Sequence, residues 1–269
     1  MASFDVNDVV VASRKEKEET QPKHIELPYI ACKKGWLDRF LMHYNQFVSS
    51  SANQDKGLKF IQWTLWLFSR LNPAKKKALL KCSFDVSFAR YLLRFYGMPS
   101  ALEAVRNSSW EDSTSSLGRT TGKLMSWSML IYYPLEHVAY LKWTSPELIP
   151  VSLNANRFSA YSCRFWLVYL VAELVQGSMR LRRLYHELSQ DEEDDDTNNE
   201  RRKEVQVSIT SEQIQMVRSA LFALPCLHWS LPKWDTEPWL SDGVCNGINW
   251  VESVVSLYQA IRAHRLANR

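Results

Sequence analysis

Residues that break helices are scarce in this chain, which has 8 glycines and 10 prolines among 269 residues. Such scarcity argues against a turn-rich sandwich or barrel and favours long helices. Cysteine is also sparse, and its five occurrences never form a CxxC pair: Cys32, Cys82, Cys163, Cys226 and Cys245. An odd, scattered set of this kind excludes a disulfide framework and a zinc site.

Sequence motifs of common enzyme classes are missing as well. The chain contains no GxxxxGK[ST] or GxGxxG phosphate loop, no HExxH and no GxSxG. The formal net charge is only +4, which indicates local basic patches rather than a dedicated nucleic-acid surface. We therefore expect no enzymatic activity, no catalytic residues, no cofactor, no metal site and no nucleic-acid partner.

Long apolar segments are absent too. The first thirty residues have no apolar core of a secretory signal, and no stretch reaches the roughly 18 consecutive apolar residues of an ordinary transmembrane helix. Two runs of intermediate length stand out, LMSWSMLIYYPL between Lys123 and Glu136 and FWLVYLVA between Arg164 and Glu173. Each is compatible with a buried core helix, an interfacial segment or an unusually polar membrane span.

Aromatic residues are abundant, with 11 Trp, 11 Tyr and 11 Phe. Tryptophan is enriched where an apolar region meets water, as at a membrane surface. The apolar periodicity and the positions of Gly and Pro predict an all-α fold, a membrane-associated helical bundle with amphipathic helices. The predicted helices cover 33–50, 57–71, 74–96, 117–143, 157–188, 212–224 and 244–266.

Charge runs divide the predicted bundle. We expect a flexible N-terminal segment over 1–30 and a helical membrane-associated region over 31–188. The run DEEDDDTNNERRKE predicts an acidic disordered linker over 189–210. A C-terminal helical membrane-associated segment follows over 211–269.

The segment KGLKFIQWTLWLFSRL, residues 56–71, has two distinct faces. At 100° per residue its polar side chains, Lys59 among them, fall on one narrow side opposite a wide apolar face. Trp63 and Trp66 lie near the boundary between the two. This layout is typical of a helix lying in a membrane surface, so we predict that Trp63 and Trp66 bind the membrane.

The next segment, AKKKALLKCSFDVSFARYLLRFYG, is more apolar still. A narrow polar strip runs beside a stack of large side chains, and the predicted membrane-binding residues are Lys76, Leu80, Phe84, Phe88, Arg90, Tyr91, Arg94 and Phe95. Burying five large apolar side chains contributes about 10 kcal/mol gross, and each basic residue adds about 1 kcal/mol on an anionic leaflet. The alternative is that the aromatic stripe is ordinary packed core, because any surface helix is amphipathic.

The C-terminal segment carries a GxxxG spacing at Gly243 and Gly247. Such a spacing lets helices approach closely in membranes, so it is a candidate oligomer contact. The alternative is that these two glycines only begin the last helix.

The order of these segments resembles the peroxin-eleven family of peroxisomal membrane proteins. The likeness comprises KGLKFIQWTLWLF, FARYLLRFYG, LMSWSMLIYYPLEHVAYLKW, NRFSAYSCRFWLVYLVAEL and SDGVCNGINWVESVVSLYQAIR. It covers most of the chain from about residue 35, apart from the acidic linker. The YYPLEH motif and the acidic insert indicate a divergent branch, gamma-like and fungal.

This resemblance implies a peroxisomal membrane protein with its termini facing the cytosol. It implies that the helix over 74–96 inserts into the membrane and remodels it, which promotes peroxisome elongation, proliferation and fission. Implied partners are membrane lipids, further copies of the chain, and fission machinery comprising a dynamin-like GTPase and its tail-anchored receptor. Two alternatives remain: a pore-like conduit for metabolites, and a soluble helical scaffold whose aromatic stripes are all internal.

Overall fold

A computed structural model of the chain describes residues 35–190 and 199–267. Within these ranges the chain is helical and has no strand, which confirms the predicted all-α class. The helices are α1 (Trp36–Val48), α2 (Ser51–Leu71), α3 (Lys76–Arg94), α4 (Gly97–Asn107), α5 (Ser116–Thr144), α6 (Ala155–Gln190), α7 (Asn199–Ser230) and α8 (Asp242–Ala267). Single 3₁₀ turns cover Pro73–Lys75 and Pro146–Leu148. The described residues divide into two units between His43 and Tyr44, and everything described below lies in the second.

The six long helices of the second unit form a closed ring. Going round it, α2 packs on α3, α3 on α5, α5 on α6, α6 on α7, α7 on α8, and α8 returns to α2. Neighbouring helices run in opposite directions. For example, Arg94 of α3 pairs with Glu136 of α5, whereas Tyr91, earlier in α3, stacks on Tyr140, later in α5. The short helix α4 packs on the outside of α5 through the fully buried Ala101 and Ala104.

Three helix boundaries differ from the sequence prediction. Helix α4 was not predicted, because Gly and Pro just after a helical segment are typical stop signals. In the structure Pro99 lies in the first turn of α4, where no backbone donor is needed. Helix α7 continues through Pro225 to Ser230, because one lost hydrogen bond is tolerated in a well-packed helix.

The third difference concerns the predicted linker over 189–210. Residues 191–198 lie outside the described residues, whereas 199–210 belong to α7. Val205 and Ile209 are buried here at i,i+4 spacing, and Arg262 of α8 donates to the hydroxyl of Ser211 at 2.8 Å. This amphipathic helix was not predicted because charged residues surround the two apolar positions in the sequence.

Hydrogen bonds hold the connection between α4 and α5 against α6. Gln176 donates to the carbonyl oxygens of Trp110 at 3.1 Å and Gly118 at 3.0 Å. Arg183 donates to the carboxylate of Asp112 at 2.6 Å, and this hydrogen bond holds the pKa of Asp112 well below its usual range. Close packing at this point requires Gly122, where a Cβ atom would lie 2.4 Å from the carbonyl oxygen of Trp110.

Candidate functional site

A layer of ion pairs crosses the inside of the helical ring. Arg90 of α3 bonds Asp55 of α2 at 2.8 Å, and Arg94 of α3 pairs with Glu136 of α5. Lys59, which lies one turn after Asp55 in α2, pairs with Glu252 of α8. Each pair joins two different helices, so we call these six residues the charged layer.

The charged layer follows from helical spacing in α2 and α3. Asp55, Lys59 and Gln62 occupy positions i, i+4 and i+7 of α2, which share one face. Arg90 Nη1 donates to Gln62 Oε1 at 2.7 Å, and Ser83 Oγ donates to the Gln62 carbonyl oxygen at 2.9 Å. The polar strips of the two helices therefore face each other inside the ring.

A second polar group lies on the α6–α7 side of the ring. The carboxylate of Glu173 accepts hydrogen bonds from Tyr169 at 2.8 Å, from Gln215 at 2.6 Å and from Ser219. Arg218 approaches the same carboxylate only to 3.8 Å. Glu173 is thus satisfied mainly by neutral donors.

Two cavities of about 350 and 300 Å³ lie inside the ring. The walls of the larger, which we call the upper cavity, come from all six ring helices. The smaller, or lower, cavity reaches toward the α5–α6 and α7–α8 connections, where Trp143 and Trp234 line it. Residues lining both cavities are Lys59, Arg90, Arg94, Trp166 and Phe222. These shared residues, three of them from the charged layer, mark the boundary between the two cavities.

Aromatic rings complete this boundary. Trp166 and Phe222 lie with their centroids 4.6 Å apart. Lys59 Nζ sits 4.0 Å from the Phe222 centroid, and the Arg94 guanidinium sits 5.4 Å from that of Trp166. Contact with an aromatic face partly offsets the free-energy cost of burying a cation.

The outside of the ring carries many large apolar side chains, whereas polar side chains are buried inside it. Large hydrophobic side chains exposed on ring helices include Ile61, Phe68, Leu80, Phe84, Leu92, Trp127, Val168, Val171, Leu224, Val251 and Tyr258. Buried polar side chains include Lys59, Gln62, Arg90, Glu136, Glu173, Asn249 and Glu252. Ionisable residues facing a bundle interior and pairing there, with apolar residues outside, are typical of helices in a lipid bilayer. By length and composition, Ala155–Gln190 is the one described helix that meets a simple test for a membrane span.

The predicted membrane-binding residues are divided between these two environments. Leu80, Phe84 and Phe95 are exposed, Lys76 is exposed at the start of α3, and Phe88 and Tyr91 are half-buried against Tyr140. The remaining four, Trp63, Trp66, Arg90 and Arg94, point into the unit. Carboxylates on neighbouring helices pair with Arg90 and Arg94, and contact of the ten residues with lipid stays a prediction.

The two glycines of the GxxxG spacing face open space. A Cβ atom at Gly243 or Gly247 would meet no atom within 4 Å. Neither glycine is needed for packing within the chain, and an oligomer contact there stays a prediction.

The acidic half of the charged layer was missed by the sequence analysis. Glu136 and Glu252 each stand alone among apolar or neutral neighbours, which is the signal that could have identified them as inward-facing. Asp55 carries no such signal, because Lys56 follows it directly. No metal-binding group of three or more His, Cys, Asp or Glu residues occurs in the ranges 35–190 and 199–267.

Comparison with known proteins places the chain in a family. The family model for peroxisomal biogenesis factor 11 (PEX11) matches residues 41–261, which is most of the chain and includes the ring apart from the end of α8. No curated protein and no solved structure matches it. This family comprises biogenesis factors and is not a known enzyme family. The chain therefore belongs to the peroxisomal biogenesis factor 11 family and is a peroxisomal membrane protein that acts in peroxisome proliferation.

Proposed function

We propose that the protein elongates the peroxisomal membrane by placing the outward face of α3 and its neighbours in the lipid as a preformed bundle. The observation that supports this is the inverted distribution of side chains, with ion pairs inside the ring and large apolar residues outside. In lipid, charged groups must pair within the bundle while apolar groups face the acyl chains. The membrane thus meets a folded surface, and α3 need not separate from α2 to insert.

The outward surface of α3 changes along its length. Its N-terminal end carries exposed lysines at 76, 77 and 81, next to Lys75 of the preceding turn. Leu80, Phe84, Leu92 and Phe95 follow, each between 37% and 61% exposed. Completing the burial of four such side chains contributes about 1 kcal/mol each, and a lysine near an anionic leaflet contributes a similar amount. The apolar and basic parts of α3 therefore contribute comparably to lipid contact.

Membership of a family of membrane proteins argues against the soluble scaffold. That alternative required all aromatic stripes to be internal, whereas Phe84 is 61% exposed and Trp127 is 54% exposed.

The topology of the ring is relevant to the orientation of the two chain termini. Because the six helices are antiparallel, α2 begins and α8 ends on the same side of the ring. This arrangement supports the proposal that both termini face the cytosol, where self-association and contact with a dynamin-like GTPase and its receptor would promote fission.

Changing the outward face of α3 tests the remodelling proposal. We expect Phe84→Asp/Leu92→Asp in the full chain to abolish the elongation of peroxisomes seen on overexpression of the wild-type protein. Each carboxylate placed in the acyl region costs about 2.5–3.5 kcal/mol. Peroxisome length is measured by fluorescence microscopy in cells expressing matched amounts of protein.

The control is Val151→Asp, since Val151 is 94% exposed in the α5–α6 connection. This variant should elongate peroxisomes as the wild type does, as should Phe84→Leu/Leu92→Met, which keeps the apolar surface. The double aspartate variant must also fold, which its protease resistance after detergent extraction reports. Wild-type elongation by a folded double aspartate variant would refute the proposal.

The cavities favour a second candidate function, a conduit for small metabolites. They lie on either side of the charged layer, and Phe222 lines both. If Phe222 blocks a path between them, removing its ring should open that path. We expect proteoliposomes with Phe222→Ala to release a small charged solute faster than those with wild-type protein. Phe68→Ala, which removes an exposed ring from α2, is the control; equal release by all three proteins would count against a conduit.

A further inference from the structure

The upper cavity carries an excess of positive charge. Its wall contains five cationic residues, Lys56, Lys59, Arg90, Arg94 and Arg218, and two acidic ones, Asp55 and Glu252. Both acids are already engaged, since Arg90 bonds Asp55 at 2.8 Å and Lys59 pairs with Glu252. Arg94 is neutralised from outside the wall by Glu136. Among the described residues, Lys56 has no ion pair, and Arg218 has only the long contact with Glu173 at 3.8 Å.

Lys56 makes no hydrogen bond or ion pair with any residue that the structure describes, although Asp55 and Glu252 attract it at longer range. Arg218 approaches Glu173 to only 3.8 Å, and its buried Nε has no hydrogen-bond partner. The two cations also repel each other across the cavity. Both side chains are half-buried, and two like charges held near each other lower stability unless an anion lies between them.

We propose that the upper cavity binds a small organic anion whose phosphate or carboxylate group lies between Lys56 and Arg218. A guanidinium matches the planar fork of a carboxylate or the oxygens of a phosphate, and a lysine supplies a point charge beside it. The anion completes the hydrogen bonding of Arg218 Nε and neutralises the surplus charge. This site is independent of the membrane remodelling proposed above.

The rest of the wall indicates what is attached to the anionic group. Met129, Leu170 and Phe222 supply apolar surface, and Tyr133 and Tyr169 supply aromatic surface. A volume of about 350 Å³ lies at the lower end of the range for small-molecule sites, roughly 300–1,000 Å³. The ligand class is therefore a compact phosphate monoester or carboxylate with an apolar body, rather than a large nucleotide.

Phenyl phosphate is the probe that tests the site, because it combines a phosphate with a compact ring. We expect the purified full chain in detergent to bind it saturably, as followed by tryptophan fluorescence and calorimetry. Inorganic phosphate should bind more weakly because it lacks the apolar body, and phenol more weakly because it lacks the charge. Lys56→Met and Arg218→Met should each weaken phenyl phosphate binding about tenfold or more.

Matched controls distinguish this site from surface charge. Lys81 and Arg119 are exposed, so Lys81→Met and Arg119→Met should leave the dissociation constant within about twofold of the wild type. A second readout needs no ligand: Lys56→Met should raise the Tm of the apo protein by removing the repulsion with Arg218. Lys56→Met should also abolish the rise in Tm that phenyl phosphate causes in the wild type.

Two sources of the phosphate group can be separated with the same protein. In phosphatidylcholine vesicles, added phosphatidic acid should compete with phenyl phosphate if a lipid headgroup occupies the site. An absence of competition would assign the site to a soluble anion. The proposal is overturned if phenyl phosphate does not bind saturably, if phenol binds as tightly, or if Lys56→Met and Arg218→Met bind like Lys81→Met and Arg119→Met.

Discussion

Replacing Arg94 with Leu should lower the free energy of unfolding by about 3–5 kcal/mol, because it leaves a buried carboxylate without its cation. Glu136 is 5% exposed. Among the described residues its charged partner is Arg94, and the Tyr132 hydroxyl donates a further hydrogen bond to it. The measurement is equilibrium unfolding of the purified full chain in detergent. Arg119→Leu, at an exposed position of α5, is the control and should change stability by less than about 0.5 kcal/mol.

The double variant Arg94→Leu/Glu136→Leu separates the two parts of this effect. Removing both charges leaves no unpaired ion and supplies apolar groups, so we expect most of the lost stability to return. A strong positive interaction between the two substitutions is therefore expected in the double-mutant cycle. If the two losses simply add, the ion pair does not account for the effect of Arg94.

Gly122→Ala should lower stability by about 1–3 kcal/mol, although alanine is the better helix former. The added Cβ would lie 2.4 Å from the Trp110 carbonyl oxygen and 2.5 Å from the Glu111 Cα atom. Both are backbone atoms of a segment that Gln176 also holds, so they cannot move away cheaply. Thermal unfolding of the purified protein in detergent measures the change.

Gly57→Ala is the matched control for this prediction. Gly57 also lies inside a long helix, but a Cβ there meets no atom within 4 Å. Helix propensity alone then applies, and the variant should be more stable by about 0.5–1 kcal/mol. Effects of the same sign at Gly57 and Gly122 would contradict the steric explanation.

Much of the fold could be predicted from the sequence because helical periodicity is a local property. The predicted helix over 74–96 corresponds to Lys76–Arg94, and that over 117–143 corresponds to Ser116–Thr144. In both segments the apolar residues recur every three or four positions, with Ser, Pro or Gly beside the ends. The helix α4 was missed because Gly97 and Pro99 resemble a stop signal when no packing partner for Ala101 and Ala104 is known.

The candidate site was less predictable, since its members are distant in sequence. Lys59 and Glu252 belong to the second and the last of the described helices, and nothing near either residue identifies the other. The prediction that basic residues of α3 contact lipid headgroups rests on a general tendency of positively charged amphipathic helices. The acidic partners on α2 and α5 are what keep Arg90 and Arg94 inside.

By itself the sequence determined that this protein is helical, that α2 and α3 each have one polar and one apolar face, and that the chain belongs to its family. Only the tertiary structure decided which face is inside. Periodicity sets the angles between side chains around one helix axis, but it does not state what lies opposite each face. In this ring, carboxylates on neighbouring helices lie opposite the polar strips, and burying those strips as ion pairs turns the apolar faces of Phe84 and Leu92 outward.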